Sequence, residues 1–339
     1  MLFIFSPRIL GVRNYLELVT TEGFGRHDAR GMDFMVSIGG KSVRIDPSPK
    51  VYQTKRYPAE QEREIERQMK LFSKTDVLIV THFHNDHFGL DPLGHLDAGK
   101  ELELAICPNS YGKEIANAPN GLIRKQVRER MEIMKDRCRS VLSVDHYAHL
   151  KYNGYEFDIK PLRHGCYKGY DLGEVLTVRI NDGNDELFFT SDLSGPEYAE
   201  ACDWISHCDP TFLVLDGPYN NIMSVLGTEK KQAKKAVREL EKSYDNLRKL
   251  VVKSEKMEKI MLCHHFMRNC YMPNNDLTAI PEILKEKISG KRLDSDTKDF
   301  IFKKYDSIGR IISRILDELD DQGIQCYIPS LLTDGRLKL

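Results

Sequence analysis

The chain has 339 residues, 41% of them hydrophobic and 30% charged, with 50 Lys+Arg against 51 Asp+Glu. This is the composition of an ordinary globular protein with enough chain for a sizeable core, and its near-zero net charge gives no global field toward nucleic acid or membrane. The longest apolar runs, Met1–Phe5, Val77–Val80 and Phe212–Leu215, are too short to span a bilayer, and Met1–Phe5 has no basic residue before it as a signal peptide would.

The elements follow in order. Met1–Phe5 reads as a first strand. Phe34–Ile38 and Ser42–Ile45 flank Gly39-Gly40-Lys41, a hairpin turn, and the second of them ends at Asp46-Pro47-Ser48. Residues 59–72 have helical spacing, with Ile65, Met69 and Phe72 on one stripe. Strands follow at Val77–Val80 and Leu102–Ile106, then a basic amphipathic helix over Gly121–Cys138. Val141–Val144 and Tyr155–Leu162 are strands. Leu176–Ile180 and Leu187–Thr190 form a hairpin around Asp182-Gly183-Asn184. A helix is expected over Pro196–His207, strands over Thr211–Asp216 and Ile260–Cys263, a long charged and interrupted helix over Glu229–Lys256, and helix again over Asp294–Asp321. Hairpins alternating with helices in both halves predict two sheets packed face to face with helices outside, an α/β (α+β) chain of four layers. No repeat or linker stands out, so residues 1–339 read as one domain, with a charged helical insertion around 229–259 and a helical segment around 294–321. Eight cysteines from Cys107 to Cys326 lack paired spacing and read as free thiols in a reducing cytoplasm.

Chemistry concentrates in Val77–Gly89, VLIVTHFHNDHFG. A buried strand releases the chain into His82, His84, Asp86 and His87. Imidazole and carboxylate are ligands that a divalent cation such as zinc prefers. His82 and His84 lie two apart and face the same way in an extended segment, while Asp86 and His87 follow at a turn and can reach a second ion. Three more ligand-type residues stand at strand ends: His164 after Phe157–Leu162, Asp192 after Leu187–Thr190, and the pair His264 and His265 after Ile260–Cys263.

This order, HxHxDH…H…D…H, resembles the metallo-β-lactamase fold superfamily, whose αββα sandwich carries a metal site between its sheets. The resemblance runs from Ile45–Ser48 to His264. LGVR at Leu10–Arg13, KRYP at Lys55–Pro58, SDLSGP at Ser191–Pro196, LDGPY at Leu215–Tyr219 and CHHFMRN at Cys263–Asn269 are similar to an uncharacterised, mainly archaeal family within it. The resemblance implies two metals. His82, His84 and His164 hold the first, Asp86, His87 and His264 the second, and Asp192 bridges them, with Asp46 supporting the site loop. His265 is the alternative to His264, or else a proton donor or substrate contact. Flavodiiron-type members have Glu where this chain has His84, which disfavours that iron site.

The expected activity is metal-assisted hydrolysis. Two divalent cations, zinc first with Mn2+ or Fe2+ as alternatives, activate a water, and Asp86 or Asp192 orients it. A phosphodiester is the favoured substrate and a lactone, thioester or other acyl compound the alternative. A mononuclear iron oxygenase and a non-catalytic metal-binding protein are readings of other classes. Residues 229–259 hold eleven Lys/Arg against six Asp/Glu, an excess of 11 − 6 = 5, and residues 121–140 are also basic. These could track a nucleic-acid backbone, or simply be solvated helix faces. Arg268 could clamp an anion or form a structural salt bridge, with Arg13 and Arg56 as weaker cases, while Asp216 reads as a turn residue, with a place in the site as the alternative, and Cys166 and Cys263 as bystanders. His27, His95, His146, His149 and His207 show no partner pattern. No membrane partner is expected, and a homo-oligomer is compatible with the sequence.

Overall fold

The computed structural model describes residues 2–4, 17–20, 33–38, 41–47, 58–84, 87–89, 93–94, 100–109, 121–165, 173–183, 185–195, 197–218, 230–262, 266 and 277–327. Two seven-stranded sheets face each other. The first contains β1 (Leu2–Ile4), β2 (Glu17–Thr20), β3 (Phe34–Ile38), β4 (Lys41–Ile45), β5 (Val77–Ile79), β6 (Leu104–Pro108) and β7 (Val141–Val144), in that spatial order. The second contains β8 (Ala148–Tyr152), β9 (Tyr155–Arg163), β10 (Glu174–Asn181), β11 (Glu186–Phe189), β12 (Phe212–Leu215), β13 (Lys259–Leu262) and β14 (Gln325–Tyr327), again in order. Each sheet begins as an antiparallel meander, β1–β4 or β8–β11. Each then turns parallel, through β5–β7 or β12–β14.

Strand periodicity sorts side chains between three cores. Val77 and Ile79 point inward, where they meet Phe157, Val178, Phe189 and Val214 of the opposite sheet. Leu78 and Val80 point outward against helices α1 (Pro58–Phe72) and α2 (Gly121–Arg137), burying Phe72, Val127, Met131 and Met134. Burial on both faces explains why Val77–Val80 is a continuous apolar run. On the far side of the second sheet, Leu162, Val175, Phe188, Leu213 and Ile260 pack against α3 (Ala199–Cys208), α4 (Lys230–Lys253), α5 (Ile280–Ser289) and α6 (Ser295–Asp321). The result is the expected four-layer αββα arrangement of two mixed sheets.

The chain departs from the sequence expectations in places. The helix expected to be interrupted over Glu229–Lys256 is continuous over Lys230–Lys253. Ala233, Ala236, Val237, Leu240, Tyr244, Leu247, Leu250 and Val251 form one buried stripe along it, with no Gly or Pro to break it. This stripe lies along α6, whose first turn is capped by the Asp294 carboxylate accepting from the Thr297 amide at 2.8 Å. Strands β2, β8 and β14 and helix α5 carry no clear signal. β8 reads Ala148-His-Leu-Lys-Tyr152, a half-exposed edge strand whose inward residues are only partly buried. Among the described residues no helix is long and apolar enough to cross a membrane.

Candidate metal centre

The loops that leave β4, β5, β9 and β11 meet at one end of the sandwich. After β4 the chain enters the left-handed region at Asp46 (φ 51°), which turns its buried carboxylate toward the loop after β5. Asp46 Oδ1 accepts from the Thr81 amide at 2.7 Å, and Oδ2 accepts from the Thr81 hydroxyl at 2.6 Å. The same Oδ2 lies 2.9 Å from His87 Nδ1. Burial pushes the Asp46 carboxyl up, while His87 and the Thr81 donors pull it back.

A hydroxyl pair joins the two halves. Ser191 Oγ is 2.6 Å from Thr81 Oγ1. Since the Thr81 proton goes to Asp46, Ser191 donates to Thr81. Both oxygens then stand as acceptors beside His82 Nδ1, at 3.1 Å for Thr81 and 3.4 Å for Ser191. That places the His82 proton on Nδ1 and turns the Nε2 lone pair toward the site. Burial, reinforced by His87 and His84, holds His82 well below the ordinary histidine range, so it stays neutral. His164 is set the same way, its Nδ1 lying 2.8 Å from the Gly165 carbonyl.

The loop after β11 carries Asp192 between two left-handed residues, Ser191 (φ 53°) and Ser194 (φ 54°). Asp216, at the end of β12, accepts from the amides of Ser194 (2.7 Å) and Gly195 (3.3 Å) and holds this loop. The Gly165 amide donates to the Asp192 carbonyl at 2.8 Å. A Cβ on Gly165 would sit 2.0 Å from Ser194 Oγ, so only glycine lets the His164 and Asp192 loops approach this closely.

The geometry brings His82, His84, His164 and Asp192 together, with one donor atom of each within 4.8 Å of all the others. Asp46, His82 and His87 form a second such group. His82 Nε2 lies 3.0 Å from His84 Nδ1. Asp192 stands between the groups. Its Oδ2 is 3.7 Å from His82 Nε2 and 3.6 Å from His164 Nε2, while Oδ1 is 3.2 Å from His87 Nε2. Ligands of a tetrahedral zinc are held about 3.3 Å apart by bonds near 2 Å, so the donor set fits a divalent cation in type and spacing. Burial would lower His87, but the Asp192 and Asp46 carboxylates outweigh it and hold it well above the ordinary range. Asp86, His264 and His265 lie outside the described residues, as do Arg13, Arg56, Cys166, Cys263 and Arg268.

Asp46 was legible through the resemblance. Thr81 and Ser191 were not, because a hydroxyl beside a ligand motif has no spacing rule. Asp216, read as a turn residue, instead holds the Asp192 loop through two amides. His149, assigned no partner, lies 2.9 Å from Asp158.

Residues 41–243 match the model of the beta-lactamase superfamily domain, more than half of the chain, and the protein belongs to that superfamily. It is similar to a UPF0282 protein of Methanopyrus kandleri, 27% identical over 267 residues that cover 73% of this chain and 84% of the relative. A UPF0282 protein of Metallosphaera sedula is 28% identical over 272 residues, covering 77% and 75%. Among solved structures, the metallo-beta-lactamase fold protein YhfI from Bacillus subtilis aligns with 82% of this chain and 94% of its own, at 13% identity and TM-score 0.42.

Removal of the Asp46 carboxylate tests its supporting role. Asp46→Ala is expected to weaken metal binding about 10–100-fold, read by competition with a chromophoric chelator, because His87 and Thr81 lose their shared anchor. Unchanged affinity would mean that the Asp46 contacts serve only the fold.

Proposed function

We propose that this protein is a hydrolase that uses two divalent cations, zinc first among the candidates, to cleave a phosphodiester. The observation that carries the reading is Asp192, with one oxygen turned toward His82 and His164 and the other toward His87. His82, His84 and His164 form the first ligand set. His87 forms the second with Asp86 and His264, and Asp192 belongs to both. Bound there, two cations would lower the pKa of a shared water and polarise a substrate oxygen. The residues do the rest. Hydrogen bonds to Thr81, Ser191, Gly165 and Asp46 fix three imidazoles with Nε2 facing inward. Asp192 and Asp86 orient the attacking water and accept its proton, and His265 contacts the substrate or protonates the leaving group. The basic helices α2 and α4 and the nitrogen-rich ligand set support a phosphodiester over a lactone or thioester. The five cysteines Cys107, Cys138, Cys202, Cys208 and Cys326 are free, which supports a cytoplasmic location.

One observation favours a second reading. The first group alone supplies four donors, enough for a mononuclear iron centre acting on a sulfur substrate. Metal analysis of the purified, untagged protein by mass spectrometry separates the two. About two equivalents of zinc or manganese, with turnover of a phosphodiester above acyl esters, is the expected result. One equivalent of iron would move the assignment to an oxygenase, and no metal after incubation with excess zinc would overturn both. His264→Ala is expected to lower occupancy of the second ion more than His265→Ala does, and the reverse order would exchange their roles.

A further inference from the structure

The outer face of the second sheet changes character along its strands. Leu162, Val175 and Phe188 lie in the helix-covered core. Asp158, Arg179 and Glu186 stand on the same face by strand alternation, with Arg179 paired across from Asp158. Over this polar floor, at the end of α3, opens a cavity of about 480 Å³ whose walls include Tyr147, Lys160, Trp204, His207 and Lys256. Its volume lies in the range of small-molecule sites.

We propose that this cavity is a second binding site, for a small organic anion with a flat body. The argument rests on which polar groups are already engaged. Asp158 accepts from the Tyr147 hydroxyl, from His149 Nδ1 (2.9 Å) and from Arg179 Nη1 (2.6 Å). Glu186 accepts from Arg179 Nη2 (2.5 Å) and Nε (3.3 Å) and from Asn181 (3.2 Å). The floor is therefore rigid and internally satisfied, and its acceptors are taken. What remains are donors. The Trp204 indole N–H, which has no hydrogen-bond partner among the described residues, is itself buried and out of a cavity ligand's reach. Lys256 is exposed and makes no ion pair or hydrogen bond among them. Lys160 rests over the Trp204 ring at 5.1 Å, and its ion pair among the described residues, 3.3 Å to Glu200, is with a side chain 66% exposed. Ammonium groups donate and never accept, so Lys160 and Lys256 select an acceptor, and their charge selects an anion. The cavity is larger than an inorganic ion needs. The exposed face of Tyr147 and the His207 ring stacked on Trp204 offer flat surfaces for the rest of the ligand.

This site is separate from the metal centre. Asp158 precedes His164 by six residues of extended strand, roughly 20 Å at the usual rise. It does not depend on the hydrolase reading. It also carries its own reporter, since Trp204 is the single tryptophan of the chain.

The test is a fluorescence titration of the full chain after metal removal by chelation, so that binding at the metal centre does not contribute. The probes are adenosine 5′-monophosphate, benzoate and inorganic phosphate. A saturable change at or below about 1 mM is expected for at least one of the two organic anions. Saturation by the nucleotide assigns a phosphomonoester ligand, and saturation by benzoate a carboxylate. Lys256→Glu is expected to raise the half-saturation point about tenfold or more, because an attraction becomes a repulsion. Its circular dichroism should match that of the unmodified chain, as Lys256 is exposed. Saturation by neither organic anion, or saturation that Lys256→Glu leaves unchanged, overturns the proposal. Equal saturation by inorganic phosphate would overturn the organic-anion assignment.

Discussion

An Asp192→Ala variant is expected to lose most of its metal and to fall at least about a hundredfold in turnover, beyond what removing a supporting contact costs. Asp192 turns one oxygen toward His82 and His164 and the other toward His87, so its loss is expected to reach both sides of the site. It is 2% exposed, so its carboxylate is held inside the site rather than at the surface. Two readouts check this, metal equivalents per chain and turnover at saturating zinc. Full metal content in the folded variant would sink the bridging role. Intact turnover at reduced occupancy would show that one cation suffices.

The second large effect is on stability. Asp33→Ala is expected to destabilise the fold by about 3–5 kcal/mol, because it leaves a buried guanidinium uncompensated. Arg44 is fully buried on the outer face of the first sheet, 2.9 Å by Nε from Asp33 Oδ1 and 2.7 Å by Nη2 from Oδ2. Gln68 of α1 accepts from the same Nη2, and the Phe72 ring lies 4.2 Å under the charge. Replacing both charges by apolar residues, Asp33→Leu with Arg44→Met, should recover much of the loss, since a buried pair is worth little more than good packing. Urea denaturation of the three proteins decides the point. Equal midpoints for Asp33→Ala and the unmodified chain would mean that Arg44 finds another partner.

How much of this was legible in the sequence follows from which forces leave a local trace. The site strand was plain because burial on both faces demands an unbroken apolar run, and the ligands behind it fall at short spacing. Helix α6 was plain for similar reasons, with an Asp294 cap and buried Ile301, Tyr305, Ile308, Ile312 and Ile315 at helical intervals. Strand β8 left no such trace, being an edge with one half-buried face. The interruption expected in α4 came from its many charges, yet its stripe of alanines and leucines is continuous. In the site, His82, His84, His87, His164 and Asp192 could be named because imidazole and carboxylate announce themselves. Their orientation could not. It depends on Thr81 meeting Ser191 from 110 positions away, a contact that exists only once the two sheets are packed.

Both sheets run from an antiparallel meander into parallel strands, and the likeness extends to atoms. Where the meander hands over, Ile45 pairs with Ile79 in one sheet and Phe189 with Val214 in the other. The next residue in each, Asp46 or Thr190, donates its amide to the carbonyl of Ile79 or Val214. Its side chain then accepts the amide two residues further along the partner strand, Thr81 to Asp46 in one half and Asp216 to Thr190 in the other. Aspartate and threonine have exchanged places between equivalent positions. The molecule is thus built twice on one plan, while the loops that follow have parted: one begins with His82, the other with Gly217. The asymmetry that chemistry needs comes from what is hung on the scaffold, since the two sheets share one strand order and one handover.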